Sequence, residues 1–288
     1  MALIKRIQAG KAAAPPPKPK LDLSLPTEVN EPSDNIADYS VLIYGAKKIG
    51  KTSLCARFPN TFFMACEPGT KGLKVFTRPV RNWEEFLGYV DLLEKDKRFR
   101  TVVVDTIDLA YEYAFDYICR KKMIGHPSEE DDFGATWKEI TAEFRKGVLR
   151  LIMMNKGVVF TSHDVEKEIE LRDGTKIDRV QPTMAKSAMS VVEALVDIIM
   201  NYAYDGSKRI LRLDGRQDLV AGNRAEQHFI RKGGDYNAPG DRVLTVSMGK
   251  TAEESYENLM AAFTNQQDSS DVTIQSSPSG LVKKRPVR

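Results

Sequence analysis

The 288-residue sequence predicts an α/β domain built on a central, mostly parallel sheet, and three observations predict it. Short apolar runs recur at residues 40–44 (SVLIY), 61–65 (TFFMA), 101–104 (TVVV) and 158–161 (VVFT). Each is too short for a helix and rich in branched or aromatic side chains, which is the pattern of strands covered on both faces. Amphipathic stretches separate them, the alternation that builds parallel strands with helical crossovers. A glycine-bearing segment, residues 45–52, lies where the first run ends and a helical pattern opens.

Along the chain, residues 1–38 come first. They hold Pro15, Pro16, Pro17, Pro19, Pro26 and Pro32 but no aromatic residue. Too little apolar surface is available there to offset chain ordering, so the segment is expected to be a disordered arm. Residues 39–265 form the folded domain. Between its strands, residues 83–93 and 107–123 show helical spacing; Ile107, Ala110, Tyr111, Ala114, Phe115, Ile118 and Cys119 share one face. A further helix is expected over 137–154. Residues 165–181 then alternate apolar and charged side chains around Asp173-Gly174, which reads as a β-hairpin extending from the core. A helix over 187–197 follows, then strands at 198–204 and 209–213 joined by Asp205-Gly206, a strand at 243–247 and a helix over 252–263. Residues 266–288, rich in Ser, Asp, Pro and Lys, are expected to form a flexible basic tail.

The formal charge of +3 sits at the ends. Lys5, Arg6, Lys11, Lys18 and Lys20 are balanced by Asp22, Glu28, Glu31, Asp34 and Asp38, and Lys283, Lys284, Arg285 and Arg288 outweigh Asp268 and Asp271. The folded core is nearly neutral, so the basic balance says little about its ligand. No apolar run approaches the roughly eighteen residues of a membrane-spanning helix, and the start of the chain lacks a secretory apolar segment. Cys55, Cys66 and Cys119 lack metal-site spacing and lie in apolar stretches, as reduced core thiols of a cytoplasmic protein do.

Gly45-Ala46-Lys47-Lys48-Ile49-Gly50-Lys51-Thr52 fits G-x-x-x-x-G-K-[ST] at every fixed position. The two glycines let the backbone curl so that successive N–H groups face phosphate oxygens, and the following helix adds its positive end. Lys51 is expected to reach the β- and γ-phosphates of a nucleotide, with residues 45–53, through Ser53, forming its cradle. Thr52 is expected to bind Mg²⁺ through its hydroxyl. Asp105, closing TVVVD, supplies the carboxylate that a magnesium shell needs. Asp108, one turn later, fits a helix cap, with a supporting role around the metal as the alternative.

Hydrolysis also needs a group that orients or deprotonates water. No acid adjoins Asp105, since Thr106 follows. Glu67, in Cys66-Glu67-Pro68-Gly69 just past the second run, is the candidate, on the expectation that its strand flanks the first one. Ser162 and His163 end a fourth run, where they could sense the γ-phosphate by hydrogen bonding.

Together GAKKIGKT, ACEPG, VVVDTID and FTSHDVEKEI resemble the RecA-like branch of P-loop ATPases, and more closely phage-encoded RecA-fold ATPases of single-strand annealing or recombination. The resemblance covers residues 40–263 or so. It implies a RecA-like P-loop NTPase core that uses ATP and Mg²⁺, with Glu67 as catalytic base. It implies that Ser162 and His163 couple nucleotide state to a DNA-binding loop. It also implies a homo-oligomer with ATP between subunits, a basic residue from the neighbour completing each site. Lys186 is the choice for that residue, with Arg209 and Lys250 as rivals. Single-stranded DNA is the implied partner, and single-strand binding or other replication proteins could engage the tails; in a phage context the setting is the cytoplasm of an infected bacterium. One feature departs from this picture. The hairpin holds Asp164, Glu166, Glu168, Glu170, Asp173 and Asp178 against Lys167, Arg172, Lys176 and Arg179, a poor phosphate tracker. A nucleotide-gated loader or adaptor for replication proteins is the alternative function.

Overall fold

A computed structural model describes residues 25–235 and 237–267 of the chain. From Ser33 onward they form one compact unit. Its first strand, β1 (Ser40–Gly45), is buried along its whole length. It is followed by α1 (Lys51–Cys55), β2 (Thr61–Ala65), β3 (Phe76–Pro79), α2 (Trp83–Lys95), β4 (Thr101–Asp105), α3 (Ile107–Lys122) and α4 (Ala135–Ile152). The chain continues through β5 (Gly157–Glu170), β6 (Lys176–Pro182), α5 (Lys186–Leu195), β7 (Ile198–Asp205), β8 (Lys208–Arg212), β9 (Gly222–Asn223), β10 (Thr245–Ser247) and α6 (Ala252–Phe263).

The sheet runs β10-β8-β7-β1-β5-β4-β2-β3. The six strands from β7 to β3 pair in parallel, while β8 and β10 extend the sheet antiparallel. The α/β, mostly parallel prediction therefore holds. Side-chain alternation explains why the strand runs are continuously apolar. Leu42, Tyr44, Val102, Val104, Val158 and Phe160 face one core with Trp83, Phe86, Ile140 and Phe144. Val41, Ile43, Val103 and Val159 face the other, with Leu259, Ala262 and Phe263 of α6. Both faces are covered, so both parities must be apolar.

Three expectations change, and a fourth lies outside the described residues. The arm predicted over 1–38 lies mostly outside the described residues, but its last stretch is ordered: Ile36–Asp38 form a 3₁₀ turn with Ile36 and Ala37 buried against β1 and β5 residues. Two apolar side chains sufficed for that docking and were too few to make a periodic signal. The tail expected from 266 likewise lies outside the described residues beyond Gln267. β3 was missed because it is an edge strand, largely exposed, with a sequence (FTRP) that alternates nothing. Finally, the run at 158–161 and the first arm of the hairpin are one strand, β5, which leaves the core sheet after His163 and pairs with β6 from Asp164–Pro182 to Glu170–Lys176. Asp173-Gly174 stands at the turn as expected, with Gly174 at φ +82°.

This topology positions a crevice. From β1 the chain passes over two positions to β2, returns through β4 and β5, and then crosses to β7 on the other side of β1. Ligands of open α/β sheets bind beyond the carboxyl ends of strands where the order reverses in this way.

Candidate functional site

The segment 45–53 occupies that crevice. At Gly45 a β-carbon would lie 1.9 Å from the Tyr202 carbonyl oxygen of β7, so the turn leaves β1 only because no side chain is present. Gly50, at φ +119°, adopts a backbone that side chains disfavour and caps α1. Between them Ala46 is half-buried, Lys47 and Lys48 are exposed, and Ile49 anchors the loop in the core at 2% exposure. Lys51, Thr52 and Ser53 open α1. That helix is a single short turn of five residues, so its macrodipole is small and anion affinity falls to the loop amides and Lys51.

Lys51 is buried and its Nζ donates to Gly45 O at 2.7 Å and Ala46 O at 3.0 Å. Burial pushes its pKa down, opposed by the charges of Asp105, Asp164 and Glu67. A buried ammonium among carbonyls gains from an anionic ligand that restores its charge compensation. Lys51 Nζ also lies 3.3 Å from His163 Nδ1. An ammonium only donates, so Nδ1 accepts and the ring proton belongs on Nε2. Nε2 in turn lies 3.5 Å from Glu67 Oε2. His163 thus bridges Lys51 and Glu67, residues that are distant in sequence.

The expected neighbour relation of Glu67 is corrected here. Its strand β2 does not flank β1; β5 and β4 stand between them. The loop after β2 closes the gap instead, because the Cys66 and Glu67 amides donate to Asp105 O at 2.8 and 3.1 Å. Gly69 follows so closely that a β-carbon there would lie 3.5 Å from Asp105 Oδ2 and 3.7 Å from Thr52 Oγ1.

Thr52 Oγ1 donates to Asp105 Oδ2 at 2.9 Å. The other Asp105 oxygen accepts from Thr161, a β5 residue whose hydroxyl orients this carboxylate and which sequence reasoning passed over. The run VVFT reads as an apolar strand, and a threonine within it carries no sign of its partner. A hydroxyl and one carboxylate are hard oxygen donors suited to Mg²⁺, which takes few protein ligands and completes its shell with phosphate and water. Among the described residues, no group of three or more His, Cys, Asp or Glu is placed to hold a metal ion.

Asp108 is not a cap. Thr106 occupies the cap position of α3, and the Asp108 carboxylate accepts from Ser162 Oγ and Thr183 Oγ1. Arg209, a rival for the residue acting between subunits, braces its own chain's loop: Nη1 donates to Ile49 O at 3.4 Å and Nη2 to Gly249 O at 3.1 Å. Lys186 is exposed at the start of α5, and Lys250 is exposed beside the α6 capping box.

A family model described as an AAA domain matches residues 37–225. The chain belongs to this AAA domain family. The match spans the segment 45–53, Glu67, Asp105 and His163, and the family is one of AAA-type P-loop NTPases. The chain is also similar to the SPbeta prophage-derived uncharacterized protein YorG of Bacillus subtilis (strain 168), at 24% identity over 202 residues. That alignment covers 68% of this chain and 59% of the relative. The AAA domain carries, among its described residues, no helix long and apolar enough to cross a membrane.

Proposed function

We propose that the AAA domain hydrolyses ATP and uses the cycle to act on single-stranded DNA during phage recombination or annealing, in the manner of the RecA-like enzymes it resembles. The observation that carries the enzymatic part is the convergence of Lys51, Thr52, Asp105, Glu67 and His163 beyond the ends of β1, β2 and β4 and at the point where β5 leaves the core sheet. Residues 45–53 and Lys51 bind the phosphates. Thr52 and Asp105 would hold Mg²⁺, which supplies charge neutralisation at the β- and γ-oxygens. Glu67 takes the proton of the attacking water as oxygen adds to the γ-phosphorus and the bond to the bridging oxygen breaks, releasing ADP. His163 keeps Glu67 beside Lys51, and with Ser162 it responds to the γ-phosphate. A basic residue of a neighbouring copy, Lys186 by our choice, would complete the site in a homo-oligomer. The similarity to a prophage-derived protein supports the phage setting.

Glu67→Gln tests the base. It should keep nucleotide binding and lose turnover by about 10²–10⁴-fold; turnover near the parent level overturns the role. ATP hydrolysis measured with and without single-stranded DNA tests the partner. Stimulation supports the recombination reading, and DNA affinity should fall steeply with added salt.

A second reading, a nucleotide-gated loader or adaptor for replication proteins, is favoured by one observation. The hairpin beyond Asp164 is rich in acids, and Lys176 is already paired with Glu168 at 2.9 Å. No DNA binding at low salt in the presence of ATP selects this reading.

A further inference from the structure

Asp108 lies one turn into α3 and takes no part in the phosphate or metal positions assigned above. Its Oδ1 accepts two hydroxyls, Ser162 Oγ at 2.9 Å and Thr183 Oγ1 at 2.6 Å. Ser162 immediately precedes His163, the last β5 residue paired with β1, and Thr183 follows the end of β6, so the two sit at the roots of the hairpin. The same pair flanks one main-chain oxygen as well. His163 O accepts from the Thr183 amide at 3.0 Å and lies 3.1 Å from Ser162 Oγ, an alternative acceptor for the hydroxyl proton that Asp108 takes. One carboxylate and one carbonyl therefore tie both roots, and the carbonyl belongs to the residue whose ring touches Lys51 and Glu67.

The clasp is incomplete. Asp108 Oδ2 is buried and has no hydrogen-bond partner among the described residues, and burial pushes the carboxyl above its ordinary range. A buried carboxylate oxygen left bare in one arrangement favours any second arrangement that satisfies it. A tie of this kind suits a joint with two positions better than a fixed strut.

We propose that Asp108 is the positioning residue that couples the nucleotide site to the β5–β6 hairpin. Displacement of the His163 ring by the γ-phosphate passes through His163 O to Ser162 and Thr183, and Asp108 makes the two roots move together. The inference rests on the reading of the crevice as a nucleotide site.

Hydrogen exchange of backbone amides 164–182, measured on the full chain with and without Mg²⁺ and a non-hydrolysable ATP analogue, tests it. In the parent, nucleotide should change the exchange of the hairpin. Asp108→Ala should abolish that difference while affinity for the analogue stays within about twofold. Asp108→Asn should restore it, because its carbonyl oxygen still accepts both hydroxyls. Thr183→Val, at an exposed position, should reproduce the loss should the alanine variant fail to fold. A merely structural Asp108 would raise exchange equally with and without nucleotide. A nucleotide response in Asp108→Ala or Thr183→Val equal to that of the parent overturns the proposal, as does a parent that binds the analogue without any change in the hairpin. A parent that binds no analogue overturns the nucleotide reading instead.

Discussion

Thr161 and Lys51 carry different kinds of consequence at the scale of single residues. Asp105 is 1% exposed, and Thr161 donates its single hydroxyl proton to one of the carboxylate oxygens. Thr161→Val keeps the shape and removes that donor from a buried carboxylate, a change that costs about 1–3 kcal/mol. Denaturant melts should record the loss, and Thr161→Ser should return most of it. Lys51→Ala instead removes the cation that the loop surrounds. Equilibrium binding of a fluorescent ATP analogue should disappear, with the fold retained because Lys51 contacts the loop and His163 and not either apolar core. The thiols are a third case. Cys55, Cys66 and Cys119 are buried, and burial raises each pKa above the ordinary value, so each stays protonated at neutral pH. Iodoacetamide at pH 7.5 should label none in the native protein and all in guanidinium, because the thiolate is the reacting form.

At the scale of elements, the hairpin and the core strands separate cleanly. Beyond Val165 the hairpin contributes to neither apolar core except through Val180, which packs against one of them. Replacing residues 167–178 by a short turn should therefore leave the melting temperature nearly unchanged and preserve nucleotide binding, while any stimulation by single-stranded DNA is lost. Circular-dichroism melts and ATPase assays check the two halves of that expectation. The elements themselves were legible where the pattern was long or doubly apolar. β1, β2, β4 and α6 fall where the sequence places them because burial on two faces, or a 3.6-residue stripe with the Thr251–Glu254 capping box, leaves a strong imprint. β3 left none, since an exposed edge demands little of its side chains. The continuity of β5 was hidden for a related reason. A strand that passes from a covered sheet into a solvent-facing hairpin changes its pattern from continuous to alternating midway, and so reads as two.

At the scale of the whole molecule, charge is unevenly distributed along the chain. Basic side chains without acidic balance lie at residues 5–20 and 283–288, outside the described residues, whereas the AAA domain is nearly neutral. A chain cut to 33–267 should keep both apolar cores and nucleotide binding. On the proposed action on DNA, its affinity for oligonucleotides should be weaker than that of the full chain and less dependent on salt, since each lost phosphate contact lowers the slope of log K against log salt by about 0.9 on duplex DNA and somewhat less on single strands. Titrations of labelled oligonucleotides at several salt concentrations measure both quantities. Equal slopes would place the DNA contacts on the core.

The amino-acid sequence by itself determined which side chains stand at the proposed phosphate and metal positions. Lys51 and Thr52 stand at set distances from two glycines, and Asp105 closes a buried strand, so their proposed roles are read from local spacing. Only the tertiary structure decided what surrounds them. It drew Glu67 back across two intervening strands, placed His163 between Glu67 and Lys51, aimed Thr161 at Asp105, turned Asp108 from a cap into the tie between the hairpin roots, and set Arg209 against its own loop. These contacts join residues separated by long stretches of chain. Periodicity and spacing report which face of an element is buried, whereas a hydrogen-bond partner across the sheet is fixed by strand order, and strand order is settled by the packing of both cores at once.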